Sequence, residues 1–169
     1  ALQENIAINL GGGTHHAFEN QGQGYCIFND SVIAGRALQI KIPIKRVLIL
    51  DCDVHQGNGT AALLQNDPTT FTFSIHGKNN FPYRKEKSDL DIALDDGTDD
   101  RVYLDALEEG LQASLKQARA DAVIYLAGAD PYGEDRFGRL AVSKEGLGER
   151  DRMVLHHCRK AGLPVAVTM

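Results

Sequence analysis

The sequence contains no apolar run that approaches membrane-spanning length, and residues 1–5 lack the pattern of a signal peptide. Its Lys and Arg residues form no long run and its net charge is −5, so we expect no direct binding to nucleic acid. It contains no internal repeat and no low-complexity segment. We therefore predict a protein that acts neither in a membrane nor on nucleic acid.

Cysteine is scarce: there are three residues, an odd number, and they are widely spaced. Cys26, Cys52 and Cys158 form neither a disulfide framework nor the CxxC pair of a zinc knuckle. This usage is typical of a reducing compartment, which predicts a cytoplasmic location. Cys52 is interpreted as a small core residue rather than a nucleophile, because it should point away from its two neighbours.

The length of 169 residues and the 43% hydrophobic content are sufficient for one core, which predicts a single domain. The sequence does not begin with Met, and no loop follows the apolar segment at its end. We therefore expect residues 1–169 to be the central part of one longer domain, without its N-terminal and C-terminal portions. An incomplete sheet with an exposed apolar edge would favour a homo-oligomer.

Short apolar segments alternate with helical patterns along the chain. We predict strands over 5–10, 47–50, 70–75, 122–127 and 163–168, and helices over 29–42, 60–65, 99–119 and 143–161. In the first helix Val32, Ile33, Ala37 and Leu38 are predicted to face inward, and residues 77–99 to form a long polar loop. The alternation predicts an α/β fold in three layers, with a mainly parallel sheet between helices.

The stretch Val47–Gly59 is the centre of the predicted site. An apolar strand over 47–50 is followed directly by Asp51, Asp53 and His55. Side chains two residues apart in an extended backbone point the same way, so these three can face one side. Ligands of an open parallel sheet bind just outside the carboxyl ends of its strands, where this cluster is predicted to lie.

Three further groups of polar residues follow other strands: His15-His16, His76 and Asp130. Taken singly, these are typical of a surface turn, a hydrogen-bonded structural histidine and a helix cap. Together, Asp53, His55 and Asp130 would supply two carboxylates and one imidazole with one vacant position, the pattern of a catalytic zinc. Such an ion polarises a carbonyl and lowers the pKa of a water, and the paired histidines could supply the base.

Several motifs occur in the order found in the zinc-dependent histone deacetylase superfamily: Gly11–His16, Gly24–Cys26, Asp51–Gly59, Ser74–His76, Phe81–Pro82 and Gly128–Asp130. That superfamily includes bacterial acetoin-utilisation and acetylpolyamine amidohydrolase relatives. The stretch Gly133–Ser143 is most similar to class IV deacetylases and their bacterial relatives. The resemblance covers nearly the whole chain and implies an arginase/deacetylase-like fold.

The resemblance implies a role for individual residues. Asp53, His55 and Asp130 match the zinc ligands, His16 matches the general base, and His15 is its companion. Asp51 matches a carboxylate that hydrogen-bonds the histidine pair. The resemblance also implies a structural potassium site formed by Asp51, Asp53, His55, Ser74 and Ile75, and an acyl-lysine channel lined by Gly24, Tyr25 and Phe81.

The sequence departs from the family pattern in two places. Asn58 stands where class I members carry an Asp that pairs with the second His, although some other classes also have Asn there. A neutral partner raises the imidazole pKa less than a carboxylate would, so we expect His16 to be a usable base at somewhat lower pH. The family Tyr that stabilises the oxyanion would follow Met169, and Tyr132 lies in a different motif, so we expect these 169 residues alone to have little activity.

The leading hypothesis is zinc-dependent hydrolysis of an N-acyl-lysine or a related N-acyl-amine. An alternative is a haloacid-dehalogenase-type phosphatase, whose motif also begins with two Asp after a strand. There Asp51 would be the nucleophile and Asp53 the acid/base, with magnesium nearby, but His15, His16 and His55 would have no role. A third hypothesis is a catalytically inactive module that binds acyl-lysine or zinc.

Overall fold

A computed structural model describes residues 3–169, in which helices cover both faces of a parallel β-sheet. Ala1 and Leu2, part of the segment predicted not to be a signal peptide, lie outside the described residues. The elements are β1 (Ile6–Asn9), α1 (Asp30–Lys41), β2 (Val47–Asp51), α2 (Asn58–Leu64), β3 (Thr70–Gly77), β4 (Leu90–Leu94), α3 (Asp100–Ala118), β5 (Ala122–Leu126), α4 (Lys144–Lys160) and β6 (Val165–Thr168). The predicted alternation of strands and helices is confirmed. Within 3–169, no helix is both long enough and apolar enough to cross a bilayer.

The strand order places β2 at the centre of the sheet. Within the described residues the order is β1-β6-β5-β2-β3-β4, and every neighbouring pair is parallel. After β2 the chain moves to β3 and β4 on one side, and after β5 it moves to β6 on the other. The connections therefore leave β2 and β5 in opposite directions, which opens a crevice at their carboxyl ends.

The two faces of the sheet have separate hydrophobic cores. Alternate residues of β2 point to opposite faces, as the period of a strand requires. Leu48 and Leu50 pack with Leu111 of α3 on one face, while Val47 and Ile49 pack towards α1 and α2 on the other. The predicted three-layer architecture is therefore confirmed, and it explains why β2 is apolar at successive positions.

The prediction of one long loop over 77–99 is wrong, because β4 lies within it and pairs in parallel with β3. Its apolar residues Leu90, Ile92 and Leu94 alternate with more polar positions, but Asp is depleted in strands and weakens that signal. Asp91 is accommodated because it accepts a hydrogen bond from the Gln56 side chain at 2.9 Å. Charge on an edge strand also opposes pairing with another chain.

Helix α1 begins directly after its predicted first residue, and Val32 and Leu38 of the predicted inward face pack against the core. The Asn29 side chain accepts a hydrogen bond from the backbone N–H of Val32 at 3.1 Å, so Asn29 caps the helix at the predicted start. The fully buried residues of the helix are Ser31 and Gly35, one turn apart. Ile33 is 55% exposed, so its predicted inward position is wrong, because it lies on the opposite side of the helix from that pair.

Strand β1 forms one edge of the sheet and exposes apolar side chains. Ile6 is exposed and Ile8 is 61% exposed, and Leu10, just after the strand, is exposed as well. An apolar edge of this kind was the basis for expecting association between copies of the chain. The homo-oligomer stays a prediction.

Candidate active site

Three residues expected to bind metal converge at the carboxyl ends of β2 and β5. One potential ligand atom each from Asp53, His55 and Asp130 lies within 4.8 Å of the others. Nδ1 of His55 is 3.0 Å from Oδ1 of Asp53 and 2.9 Å from Oδ2 of Asp130. Two carboxylates and one imidazole with a free coordination position are a donor set that suits catalytic zinc.

The electrostatics of this cluster favour a positive charge. Burial and the nearby Asp53 carboxylate raise the pKa of Asp130 above its usual value. Burial alone would lower the pKa of His55, but hydrogen bonds to Asp130 and Asp53 outweigh it and raise that pKa to about 10. A proton on His55 thus balances the two carboxylates, and a divalent cation that binds here would replace this proton.

The backbone around the cluster holds the carboxylates in place. Oδ1 of Asp53 accepts the backbone N–H of His55 at 2.8 Å, and Oδ1 of Asp130 accepts that of Val54 at 2.9 Å. Gly128 lies directly against both carboxylates. A Cβ at this position would be 2.5 Å from Oδ2 of Asp53 and 3.1 Å from Oδ1 of Asp130, so a side chain here would displace them.

The histidine pair lies beside the cluster and is buried. Nδ1 of His15 is 2.6 Å from Oδ2 of Asp51, and Nδ1 of His16 is 2.7 Å from Oδ1 of Asn58. The Nε2 atoms of the two rings are 3.2 Å apart, and Nε2 of His15 is 3.8 Å from Oδ1 of Asp53. The structure therefore brings together the residues that the sequence assigned to this pair.

The protonation of the two histidines differs. The Asn58 amide donates to Oε1 of Gln23, so its own oxygen accepts the Nδ1–H of His16 and leaves Nε2 of His16 without a proton. Burial and the charge of His15 lower the pKa of His16 to about 3. Burial opposes charge on His15 too, but the nearby carboxylates, first Asp51, raise its pKa to about 9. One imidazole is charged, and the neutral one is available as a base.

Asp30 holds the loop that precedes the histidine pair. From the sequence, Asp30 is expected only to lie at the start of a helix. Its carboxylate accepts the backbone N–H groups of Gly13 and Thr14, both at 2.9 Å, and the Thr14 hydroxyl at 2.9 Å. The start of α1 thereby fixes the backbone that leads into His15. Spacing along the sequence gives no sign of this contact, because the partners are 16 and 17 residues apart.

An open cleft of about 1050 Å³ leads to the cluster. The residues predicted to line a substrate channel, Gly24, Tyr25 and Phe81, all border it. The Phe81 ring stands edge-on to His16 with 5.0 Å between centroids, whereas Tyr25 is fully exposed at the mouth. Further aromatic side chains that the sequence did not assign to this cleft also line it: Tyr83 and Phe137.

Of the five residues predicted for the potassium site, three lie on adjacent strands, and Asp53 and His55 lie in the segment that follows β2. Asp51 at the end of β2 is in register with Ser74 of β3, and Ile75 follows it. The Ser74 hydroxyl is 2.9 Å from Nδ1 of His76, which is buried. His76 is therefore the hydrogen-bonded structural residue that was expected, and the potassium site stays a prediction.

Two other interpretations concern residues outside the site. Cys52 is fully buried, and burial raises the pKa of its thiol, which confirms the core role. His156 and His157 lie in α4 among Arg152, Arg159 and Lys160, a pattern that favours the interpretation of a solvated helix face. His156 is exposed, but His157 is half-buried and its Nε2 is 3.1 Å from a Glu108 carboxylate oxygen, so for His157 the interpretation is wrong.

Comparison with known proteins gives the family. The profile described as "Histone deacetylase domain" matches residues 1–169. The chain belongs to the histone deacetylase family. Among curated histone deacetylase relatives, Histone deacetylase 2 of Arabidopsis thaliana is 32% identical, over 99% of this chain and 44% of that protein. An uncharacterized protein of Picosynechococcus sp. is 50% identical, over 98% of this chain and 55% of that protein.

The fold of this histone deacetylase family member also agrees with a solved structure. The crystal structure of an HDAC homolog from Aquifex aeolicus matches it with a TM-score of 0.85 and 24% sequence identity, over 99% of this chain and 48% of that one. The predicted arginase/deacetylase-like α/β fold is confirmed. The chain spans about half the length of the relatives it matches.

Membership in the histone deacetylase family removes the basis of the phosphatase alternative. The geometry also opposes the phosphatase hypothesis. Its nucleophile would be Asp51, which is buried and has its Oδ2 2.6 Å from Nδ1 of His15. A carboxylate engaged in this way is not free to attack a phosphate. The two histidines and His55, which the phosphatase hypothesis left without a role, instead lie at the centre of the site.

Proposed function

We propose that the full-length protein is a zinc-dependent amidohydrolase that removes acyl groups from N-acyl-lysine or related N-acyl-amines. One observation carries the proposal: the potential ligand atoms of Asp53, His55 and Asp130 gather within 4.8 Å beside the buried pair His15 and His16. Membership in the histone deacetylase family supports deacetylase chemistry. The mixed carboxylate and imidazole donor set supports zinc as the metal.

Each residue has a separate task in the proposed reaction. Asp53, His55 and Asp130 would hold zinc, which supplies polarisation of the acyl carbonyl and a lowered pKa for water. His16, kept neutral by burial, presents an unprotonated Nε2 that takes a proton as water attacks the carbonyl carbon. The proton then passes to the leaving nitrogen as the C–N bond breaks, which gives a carboxylate and an amine. Asn58 orients the His16 ring.

The proposed substrate enters through the cleft. Gly24 and Phe81 border the path to the cluster, and Tyr25 stands at its mouth. Aromatic side chains along the cleft, with polar groups at its floor, suit a long aliphatic amine that carries its acyl group at the tip. A structural potassium ion at the predicted site on β2 and β3 belongs to the same proposal, as does a cytoplasmic location.

The test is hydrolysis of an acetyl-lysine peptide and of an acetylated polyamine by the full-length protein before and after chelation. We expect chelation to abolish the activity and zinc to restore it. Asp130→Asn should lower kcat/KM by roughly 100-fold or more, because ligand loss removes several kcal/mol of stabilisation. Asp105→Asn, at an exposed position of α3, is the matched control and should keep activity.

Two results would contradict the proposal. Activity that resists chelation, or that returns with magnesium but not with zinc, would exclude zinc chemistry. A protein that binds zinc and acyl-lysine peptide but hydrolyses neither substrate would instead support the inactive module.

A further inference from the structure

Arg150 on helix α4 is a buried cation behind the metal cluster. Its side chain is 2% exposed. The sequence gives no sign of this position, because Arg150 lies in the charged run 149–152, which is typical of a solvated helix face. A buried guanidinium carries a large desolvation penalty, so its contacts must offset that penalty.

The guanidinium of Arg150 donates hydrogen bonds to backbone carbonyls at the ends of two strands. Nη1 donates to the carbonyl of Gly128 at 2.6 Å and to that of Cys52 at 3.4 Å, and Nη2 donates to that of Ala127 at 3.2 Å. These carbonyls belong to the segments that follow β2 and β5, which carry the proposed zinc ligands. One side chain thereby joins the two segments.

Gly128 links Arg150 to the ligands themselves. Its carbonyl accepts the shortest of the three bonds, and its Cα lies against both carboxylates. There is no room for a side chain between Gly128 and the carboxylates, since a single added carbon would be 2.5 Å from Oδ2 of Asp53. A displacement of this peptide would therefore change the separation of Asp53 and Asp130.

The rest of the guanidinium is anchored outside the site. Nε of Arg150 donates to Oδ1 of Asp151 at 2.9 Å, and the Tyr125 hydroxyl donates to the same oxygen at 2.6 Å. The Asp151 side chain is 44% exposed, so the charge of the guanidinium is balanced partly by this carboxylate and partly by the carbonyl dipoles. Helix α4 is thus attached to β5 and to both strand ends through one planar group.

We propose that Arg150 is a positioning residue for the metal centre. It holds the carboxyl ends of β2 and β5 at the separation at which Asp53, His55 and Asp130 share one cation. The inference rests on the proposed zinc site and goes beyond it, because it makes zinc affinity depend on a side chain that touches neither metal nor substrate. Lysine is a poor substitute, because its single ammonium cannot reproduce the planar set of donors.

The experiment measures the zinc Kd of the full-length protein by competition with a chromophoric chelator. Arg150→Met and Arg150→Lys are compared with wild type and with Val154→Ala. Val154 is fully buried one turn further along the same helix and packs in the core, so its truncation lowers stability but removes no side-chain hydrogen bond to the strand ends. Urea unfolding of the metal-free proteins gives the stability loss of each variant.

We expect Arg150→Met to weaken zinc binding roughly 10- to 100-fold, the range found for groups that orient metal ligands. Arg150→Lys should give a smaller loss, because it keeps a charged donor. Val154→Ala should stay within about twofold of wild type, since it leaves the hydrogen bonds from Arg150 to the strand ends in place.

Each other outcome overturns a defined statement. A wild-type protein that binds no zinc overturns the proposed function together with the centre that Arg150 positions. Wild-type zinc binding with an unchanged Kd in Arg150→Met overturns the positioning role alone. The positioning role is also overturned if Arg150→Met and Val154→Ala lose the same stability and the zinc Kd of Arg150→Met changes no more than that of Val154→Ala. If Arg150→Met does not fold, the same comparison made with Arg150→Lys decides.

Discussion

Replacement of Gly24 by alanine should disturb His16 directly. Gly24 has a φ of +53°, and a Cβ there would lie 2.8 Å from Cγ of the His16 ring and closer still to Cδ2. An L residue in the left-handed region costs roughly 1–2 kcal/mol. Forcing an extra methyl group into a packed site costs roughly 1–3 kcal/mol more. The two penalties together predict a loss of roughly 2–5 kcal/mol for Gly24→Ala.

Gly162→Ala is the matched control, because it carries only the first penalty. Its φ is +70°, and a Cβ there would meet nothing within 4 Å. We expect it to lower the free energy of unfolding by roughly 1 kcal/mol and to leave hydrolysis unchanged. Gly24→Ala should in addition reduce kcat/KM roughly 100-fold, because a displaced base is no longer aligned with the attacking water.

Urea unfolding and hydrolysis of an acetyl-lysine peptide, measured on both variants of the full-length protein, provide the assay. Equal stability losses in the two variants would refute the close approach of Gly24 to His16. A Gly24→Ala variant that is destabilised but fully active would show that the position of the His16 ring does not govern the reaction.

Three further changes test other parts of the molecule. Gly128→Ala should weaken zinc binding at least roughly 10-fold in a chelator competition, because its Cβ would displace the Asp53 carboxylate. Leu111→Ala, at a fully buried position of α3, should lower the free energy of urea unfolding by roughly 2–5 kcal/mol with unchanged zinc stoichiometry. Burial alone would raise the pKa of Asp67, but hydrogen bonds from Thr69 hold it below its usual value. The ionised Asp67 carboxylate therefore stabilises the fold above about pH 4. Asp67→Asn should lower the free energy of unfolding at about pH 7 by roughly 1 kcal/mol, and with it the Tm. This difference in Tm should vanish towards about pH 2.

The contrary results are equally specific. Wild-type zinc affinity in Gly128→Ala would mean that the carboxylates do not lie against that backbone. A neutral Leu111→Ala would contradict the packing of α3 on the sheet. A Tm difference for Asp67→Asn that persists unchanged below pH 3 would mean that the charge of the carboxylate is not the stabilising form.

The sequence predicts the cluster of Asp53, His55 and Asp130 at the floor of the cleft, because the sequence signals for these residues are local or follow from sheet geometry. The apolar run before Asp51 identifies β2, and the common edge of parallel strands explains why Asp130 meets Asp53. The contacts of Arg150 have no such signal, since its partners are carbonyl groups that every residue possesses. The same limit applies to β4. Asp91 weakens the sequence pattern of a strand, and its hydrogen bond with the distant Gln56 is visible only in the structure.

The floor of the cleft, formed by Asp53, His55 and Asp130, comes from different parts of the chain than the walls above it. The walls come from segments far apart in sequence, around residues 24, 81 and 137, whereas the floor comes from the two central strand ends. Insertions or deletions in the walls therefore need not disturb the ligands. For the proposed amidohydrolase, this separation would allow the range of accepted amines to change without a change in the groups proposed to cleave them.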